Sequence, residues 1–99
     1  MTNKEFDKLL KERIVQIEKV LGSKAQEYAS DLDRLHNFDI AAIISRKTKA
    51  QALWGMAMKH LVSVIDIVDS GQKPTKEIVD EKIGDLINYL ILLEAIFKE

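Results

Sequence analysis

Apolar residues recur at steps of three and four through most of this chain, which is the spacing of one face of an α-helix. The pattern is clearest in three stretches: Phe6 to Leu21, Ala50 to Val68, and Val79 to Phe97. No stretch alternates apolar and polar residues as a half-buried strand does, and no Asn-Gly pair marks a hairpin. The sequence therefore predicts an all-α fold, with residues 1–99 forming one small bundle of two long helices and a broken N-terminal helix.

Local signals place most of the helix boundaries. In a capping box, a Ser or Thr side chain and a Glu or Gln three residues later each bond to the other's free backbone N–H. Three such boxes are present: Thr2 with Glu5, Ser23 with Gln26, and Thr48 with Gln51. Gly71 is expected to end the helix that starts after Thr48 and spans about residues 49–70. Pro74-Thr75 is expected to begin the last helix, over residues 76–98.

The chain between the first two long apolar stretches is less regular. Gly22 is expected to close the first helix in a left-handed cap, and both a bend and a stop at Gly22 fit the pattern. The box at Ser23 predicts a short helix over residues 24–30. Further on, Asp39 is expected to cap a short apolar helix over residues 40–44.

Composition narrows the class of protein. The 99 residues are 46% hydrophobic and contain no cysteine, which suits a small core in a reducing compartment. The polar N-terminus has no signal segment and no apolar run approaches a membrane span, so a cytoplasmic protein of a bacterium or of a phage-infected host cell, with no membrane partner, is expected. Net charge is −1 and the one basic cluster, Arg46-Lys47-Lys49, is most simply a solvated loop. Nucleic acid is therefore an improbable partner.

The two C-terminal helices are apolar on more than one side. On a helical wheel, Met56, Val62 and Ile67 lie off the main stripe of one helix, and Leu92, Ala95 and Ile96 lie off that of the other. A lone surface helix needs only one apolar stripe, so the surplus predicts a covering partner. In so short a chain the simplest cover is a second copy, giving a homodimer or a larger assembly.

Two polar groups could carry chemistry. Glu81, Asp85 and Asn88 lie at i, i+4 and i+7 on the last helix, and two carboxylates one turn apart can hold a divalent cation. The plain alternative is a solvated acidic flank beside Lys82. On the preceding helix, Lys59 and His60 interrupt an apolar stretch; a histidine at the edge of the core and a solvated lysine are the alternative.

The segment from Glu81 to Leu90 resembles the metal-binding helix of the MazG-like all-α nucleoside triphosphate pyrophosphatases. That helix carries Glu-Glu-x-x-Asp; Glu81 and Asp85 match its first Glu and its Asp, while Lys82 stands at the second Glu. Residues 24–94 further resemble small phage and prophage relatives of uncertain activity. The chain departs from the enzymes in having no Glu-x-x-Glu on the neighbouring helix, the pair that completes their four-carboxylate magnesium cradle.

The resemblance implies a nucleotide ligand and a Mg²⁺ or Mn²⁺ cofactor. The metal ligands it implies are Glu81 and Asp85, with Glu27 or Asp33 from the broken first helix. The substrate-binding residues would be Arg34, Lys59 and His60 at the phosphates, Asn37 or Asn88 at the ribose or base, and Tyr89.

Three hypotheses follow for the function. The first is a magnesium-dependent hydrolase that cleaves a nucleoside triphosphate to the monophosphate and pyrophosphate, which needs carboxylates enough to activate water. The second is a non-catalytic binder that sequesters a nucleotide or signalling molecule with the same polar residues. The third is a structural or regulatory helical oligomer in which the polar cluster only fixes the packing.

Overall fold

The computed structural model describes residues 1–22 and 33–99. This part of the chain forms four α-helices and no strand, which confirms the all-α prediction. The helices are α1 (Asn3–Leu21), α2 (His36–Ser45), α3 (Lys49–Asp69) and α4 (Lys76–Lys98). The predicted Ser23 capping box and the helix over residues 24–30 lie outside the described residues. No described helix is long and apolar enough to cross a membrane.

The predicted starts of the long helices are confirmed. The Thr2 hydroxyl accepts from the Glu5 backbone N–H at 3.1 Å, and the Thr2 N–H donates to the Glu5 carboxylate at 3.0 Å. Thr48 and Gln51 exchange the same two bonds at 3.1 and 3.0 Å at the start of α3. At the start of α4, Thr75 caps with its hydroxyl alone. Each bond satisfies a backbone donor that the first turn leaves free.

Two predicted details between α1 and α3 are wrong. Gly22 ends α1 with φ of −75°, in extended and not left-handed backbone. A Cβ at position 22 would collide with the carbonyl oxygen of Glu18, so glycine is needed there for close approach. Asp39 does not cap α2: the helix begins at His36, without a side-chain cap on Leu35, and Asp39 lies in its first turn.

Helices α3 and α4 pack against each other as an antiparallel hairpin. Their antiparallel direction is shown by Lys49 at the start of α3, which bonds to Glu99 after the end of α4 at 2.6 Å. Helix α2 packs against α3, and α1 packs against α4. Gly71, with φ of +67°, follows α3 and turns the chain toward α4 as predicted. The hairpin is therefore the centre of the fold. Helices α2 and α1 each make a less extensive contact, with α3 and α4 respectively.

The core formed by the described residues is small. Among the described residues, four apolar side chains are buried, Leu35, Ala52, Leu53 and Ala57, and Leu53 is fully enclosed. Helix α1, described in full, has no buried residue. The radius of gyration is 15.5 Å, against about 13 Å for a compact domain of about 100 residues. The chain thus packs more openly than an independent globular domain of its length.

Candidate functional site

His60, Asp85, Asn88 and Tyr89 make up a polar face between α3 and α4, here termed the α3–α4 polar face. His60 Nδ1 lies 3.4 Å from Asp85 Oδ2, a contact that becomes an ion pair when the imidazole is protonated. The His60 ring also stacks on Tyr89, with ring centroids 4.9 Å apart and planes 28° from parallel. One imidazole of α3 is therefore held by two side chains one turn apart on α4.

The two helices bring these residues together for reasons visible in the sequence. Asp85, Asn88 and Tyr89 lie at i, i+3 and i+4, which is one side of α4. The antiparallel hairpin then sets this side against the stretch of α3 that carries His60. The His60 side chain is 17% exposed, so the ring is largely enclosed while one edge still meets solvent.

Asn88 contributes the least satisfied polar atom of this face. Its Oδ1 is buried and has no hydrogen-bond partner, the one such side-chain atom in the part of the chain that the structure describes. A buried acceptor without a donor costs about 1–3 kcal/mol. Such an atom in a native protein calls for an explanation, and a water, an ion or a ligand that supplies the donor is one.

The predicted metal ligands do not converge on the last helix. Glu81 lies one turn before Asp85, but its side chain is 65% exposed and contacts Lys82 at 3.6 Å, as the solvated-flank alternative expects. Neither Glu81 nor Asp85 belongs to a group of three or more ligating side chains within residues 1–22 and 33–99. Glu27 lies outside the described residues, and Asp33 stands before α2 beside His36 and Asp39. A Mg²⁺ site at Glu81 and Asp85 stays a prediction.

The remaining predicted residues are spread over two places. Lys59 is exposed on α3 next to His60. Arg34 donates from Nη2 to the Leu21 carbonyl at 3.4 Å, which ties the start of α2 to the end of α1. Asn37 is exposed on the first turn of α2. The structure thus brings His60, Asp85 and Tyr89 into contact and places Arg34 and Asn37 near the start of α2.

Two charged contacts have no counterpart in the sequence analysis. Lys49, expected in a solvated loop, lies 2.8 Å from Asp39 Oδ1 and 2.6 Å from Glu99 Oε1. Arg13 donates from Nη1 to the Asp80 carbonyl at 3.3 Å, above Gly84 on α4. Both contacts join residues far apart in sequence, so no local pattern could have indicated them.

A cleft of about 480 Å³ separates the middle of α1 from the first half of α4. Leu9, Val79 and Ile83 are among its apolar lining residues. Asp80 stands on its rim, 2.8 Å from Lys76 Nζ and 3.9 Å from Arg13 Nη2. The hydrogen bond from Lys76 and, to a smaller extent, the positive charge of Arg13 hold the pKa of Asp80 below its ordinary value. Lys76 and Arg13 therefore balance the negative charge of Asp80, so this carboxylate needs no cation from outside the chain.

The α3–α4 polar face combines a ring stack, an imidazole beside a carboxylate, and an amide oxygen without a donor, which are kinds of groups found in ligand sites. Comparison with protein-family models, curated proteins and solved structures finds no match to this chain. The geometry of the residues is accordingly the basis for the function proposed below.

Proposed function

We propose that this chain is a nucleotide-binding helical protein whose ligand is held at the α3–α4 polar face. The observation that supports it most is the buried, unpartnered Oδ1 of Asn88, which lies on the same side of α4 as Asp85, the residue that contacts His60. Adenine, guanine and cytosine carry amino groups that can donate to such an oxygen, and aromatic side chains bind bases by stacking. Lys59 is exposed and next to His60 in the sequence, and in this proposal its ammonium group donates to a phosphate.

Binding is better supported than hydrolysis. The resemblance to MazG-like enzymes implies a magnesium-dependent pyrophosphohydrolase, and that reaction draws on a cradle of several carboxylates. In the described residues Glu81 and Asp85 have no third acidic ligand beside them, and Asp85 already faces His60. We therefore propose capture of a nucleotide as the primary function. Turnover would require further oxygen ligands, from Glu27 or from a second copy of the chain.

A nucleotide panel with Mg²⁺ or Mn²⁺ tests the two activities together. We expect at least one nucleotide to raise the melting temperature, because a ligand that prefers the folded state stabilises it by mass action. Chromatography of the same mixtures reports whether a triphosphate is cleaved. Binding without cleavage supports the capture function, cleavage supports the hydrolase, and a panel without any shift contradicts both.

Asn88→Leu tests the proposed site directly. Leucine is close to asparagine in size and removes the unpartnered acceptor, so we expect the ligand-free protein to melt at the same or a higher temperature. We expect the nucleotide-induced rise to disappear. Glu94→Gln is the matched control, since Glu94 lies on the same helix, is exposed and pairs only with Lys98 at 3.6 Å among the contacts described. An Asn88→Leu protein that keeps the full nucleotide-induced rise would overturn the assignment of the site.

We also propose that the chain associates with itself. The observation behind this is the small core: four buried apolar residues in the described part of the chain, against many half-exposed ones on α1, α3 and α4. A structural or regulatory oligomer would need this surface and no ligand. The nucleotide panel separates that hypothesis from nucleotide capture, because a purely structural assembly gives no nucleotide-dependent shift.

A further inference from the structure

Asp33, His36 and Asp39 form a cluster at the start of α2, at sequence steps of three. One oxygen from each carboxylate and one imidazole nitrogen lie within 4.8 Å of one another. In residues 1–22 and 33–99 this is the one group of three or more side chains with metal-ligand spacing. None of these residues belongs to the α3–α4 polar face, so the cluster is a separate feature of the molecule.

The charges around this cluster are unbalanced. One carboxylate oxygen of Asp33 and one of Asp39 lie within 4.8 Å of each other. Two carboxylates so close repel each other unless a proton or a cation lies with them. Lys49 is the cation in contact with Asp39, and it also holds Glu99. Lys49 therefore serves two carboxylates, and Asp33 adds a third that Lys49 does not contact in the described structure, which leaves negative charge beside the His36 imidazole.

Hydrogen bonds from neighbouring groups orient the two carboxylates and still leave lone pairs free to bind a metal ion. Asp33 Oδ1 accepts the Leu35 backbone N–H at 3.0 Å, and Asp39 Oδ1 accepts from Lys49 at 2.8 Å. A carboxylate has two oxygens and about four lone-pair sites, so each group can bond to its partner and still bind a cation. Partners of this kind fix the direction of metal ligands in many proteins.

We propose that Asp33, His36 and Asp39 form a binding site for a transition-metal ion of the zinc class. One imidazole nitrogen with two carboxylate oxygens is a donor set that Zn²⁺ accepts, with the fourth position left to water. Mg²⁺ prefers oxygen donors alone in octahedral geometry, so this site is chemically distinct from the magnesium site that the sequence predicts at Glu81 and Asp85. Affinity for other divalent ions is expected to follow the general order for first-row metals.

The test is calorimetric titration of the full chain with Zn²⁺ after treatment with a chelator. We expect one ion per chain, and a loss of affinity of about tenfold or more in His36→Gln, since even removal of a group that only orients a ligand costs that much. His36 is exposed, and circular dichroism checks that the variant keeps its helices. Asp33→Asn supplies a second variant, because it removes a carboxylate that Lys49 does not contact in the described structure.

His60→Gln is the matched control, because His60 is the other histidine of the chain and lies outside the cluster. It should bind Zn²⁺ as the unmodified protein does. If the unmodified protein binds no Zn²⁺, or if His36→Gln binds it equally well, the proposal is overturned. Loss of binding in His60→Gln alone would assign the ion to the α3–α4 polar face and would equally overturn it.

Discussion

Gly84 lies in the middle of α4 and is that helix's one buried residue. A Cβ at this position would lie 2.5 Å from Nη1 of Arg13. The Arg13 guanidinium passes over α4 at Gly84 and donates to the Asp80 carbonyl. Glycine in a helix interior is about 1 kcal/mol less favourable than alanine. The chain therefore carries a residue that weakens α4 locally and that leaves room for α1 to dock through Arg13.

Gly84→Ala should accordingly have an effect that depends on Arg13. In an Arg13→Ala background we expect the free energy of unfolding to rise by about 1 kcal/mol, because only the helix propensity changes. With Arg13 present the gain should be smaller or negative, since the methyl group displaces the guanidinium. Chemical denaturation of the four proteins in the double-mutant cycle measures the difference.

Gly55→Ala is the control for this cycle. Gly55 is in the interior of α3, and a Cβ there would have nothing within 4 Å. It should give the gain of about 1 kcal/mol whether or not Arg13 is present. Equal effects of Gly84→Ala in the two backgrounds would show that Arg13 and Gly84 are not coupled.

At the residue scale, sequence patterns located part of the candidate site. Asp85 and Asn88 could be assigned to one face because helical spacing is a local property, whereas Tyr89 was indicated only by the family resemblance. The partner of Asp85 could not be predicted from the sequence, because its contact with His60 depends on how α3 and α4 pack against each other. The same holds for Lys49, whose two carboxylates come from α2 and from the end of the chain, ten residues before and fifty after it.

Lys49 joins three helices at one point. It begins α3, bonds to Asp39 in the first turn of α2, and bonds to Glu99 just beyond α4. Its side chain is 18% exposed, so it is better shielded than the other lysines in described ion pairs. These bonds hold the pKa of Lys49 above its ordinary value, and Lys49, followed by Asp33, holds the pKa of Asp39 below its own.

The sign of the pH effect follows from these shifts. A depressed carboxyl pKa in the folded state adds stability that is present above the ordinary value of 3.8 and is lost as pH falls through the lower folded-state value. A raised lysine pKa adds stability that is present below 10.5 and is lost as pH rises through the higher folded-state value. Both contributions of the Lys49 contacts are therefore complete near neutral pH.

Lys49→Gln should lower the free energy of unfolding near neutral pH and matter less in acid. We expect the gap between the variant and the unmodified protein to narrow as pH falls below 3.8 and through the lower folded-state pKa of Asp39. Denaturant unfolding near neutral pH and in acid below that pKa measures the gap. Lys8→Gln is the control. Among the contacts described, Lys8 pairs only with Glu12, at 4.0 Å and with both side chains exposed, so this variant should leave no gap at either pH. A gap that stays constant with pH would mean that Lys49 acts through packing alone.

At the element scale, the sequence predicts those helix boundaries that depend on contacts between residues close together in the chain. The capping boxes at Thr2 and Thr48 fixed two helix starts because donor and acceptor are three residues apart. Helix α2 begins after Leu35, which offers no side-chain oxygen, so its start carries no comparable signal and was placed four residues late. Its C-terminal cap, Arg46, has φ of +55°, a left-handed conformation that composition does not reveal.

At the scale of the whole molecule, the main feature is that many more large apolar side chains are exposed than buried among the described residues. The sequence predicted surplus apolar residues on the secondary faces of α3 and α4. In the structure, members of the main stripes are exposed as well, among them Trp54, Val68 and Phe97. The four helices of the described residues thus leave uncovered part of the surplus and part of the intended core. Hydropathy patterns assign residues to helix faces, but they do not count how many helices are available to cover those faces.

Helix α1 offers the clearest surface for a second copy. Phe6, Leu10 and Ile14 follow one another at four-residue steps and are 53%, 48% and 46% exposed. Complete burial of such a side chain stabilises by about 1.5–3 kcal/mol, so covering the exposed half of each contributes about 1 kcal/mol. A two-fold interface repeats every contact. This row alone would then supply several kcal/mol to a dimer.

We therefore expect sedimentation at micromolar concentration to give a species larger than the 11.3 kDa chain. Ile14→Lys should shift it toward the single chain, because burying a lysine in the apolar row is unfavourable without a partner charge. Val15→Lys is the matched control: Val15 is equally exposed, at 48%, but it lies about 100° around the helix, among Lys11, Glu12 and Lys19. It should remain assembled.

The comparison of adjacent positions separates association from folding. Both variants add one lysine to a half-exposed site of the same helix, so they change net charge and helix propensity alike. Circular dichroism should show the same helix content in each when folded. If both variants stay assembled, the row from Phe6 to Ile14 is not the interface. If the unmodified protein sediments only as the single chain, its apolar surface serves something other than a second copy, and the small core must be sufficient by itself.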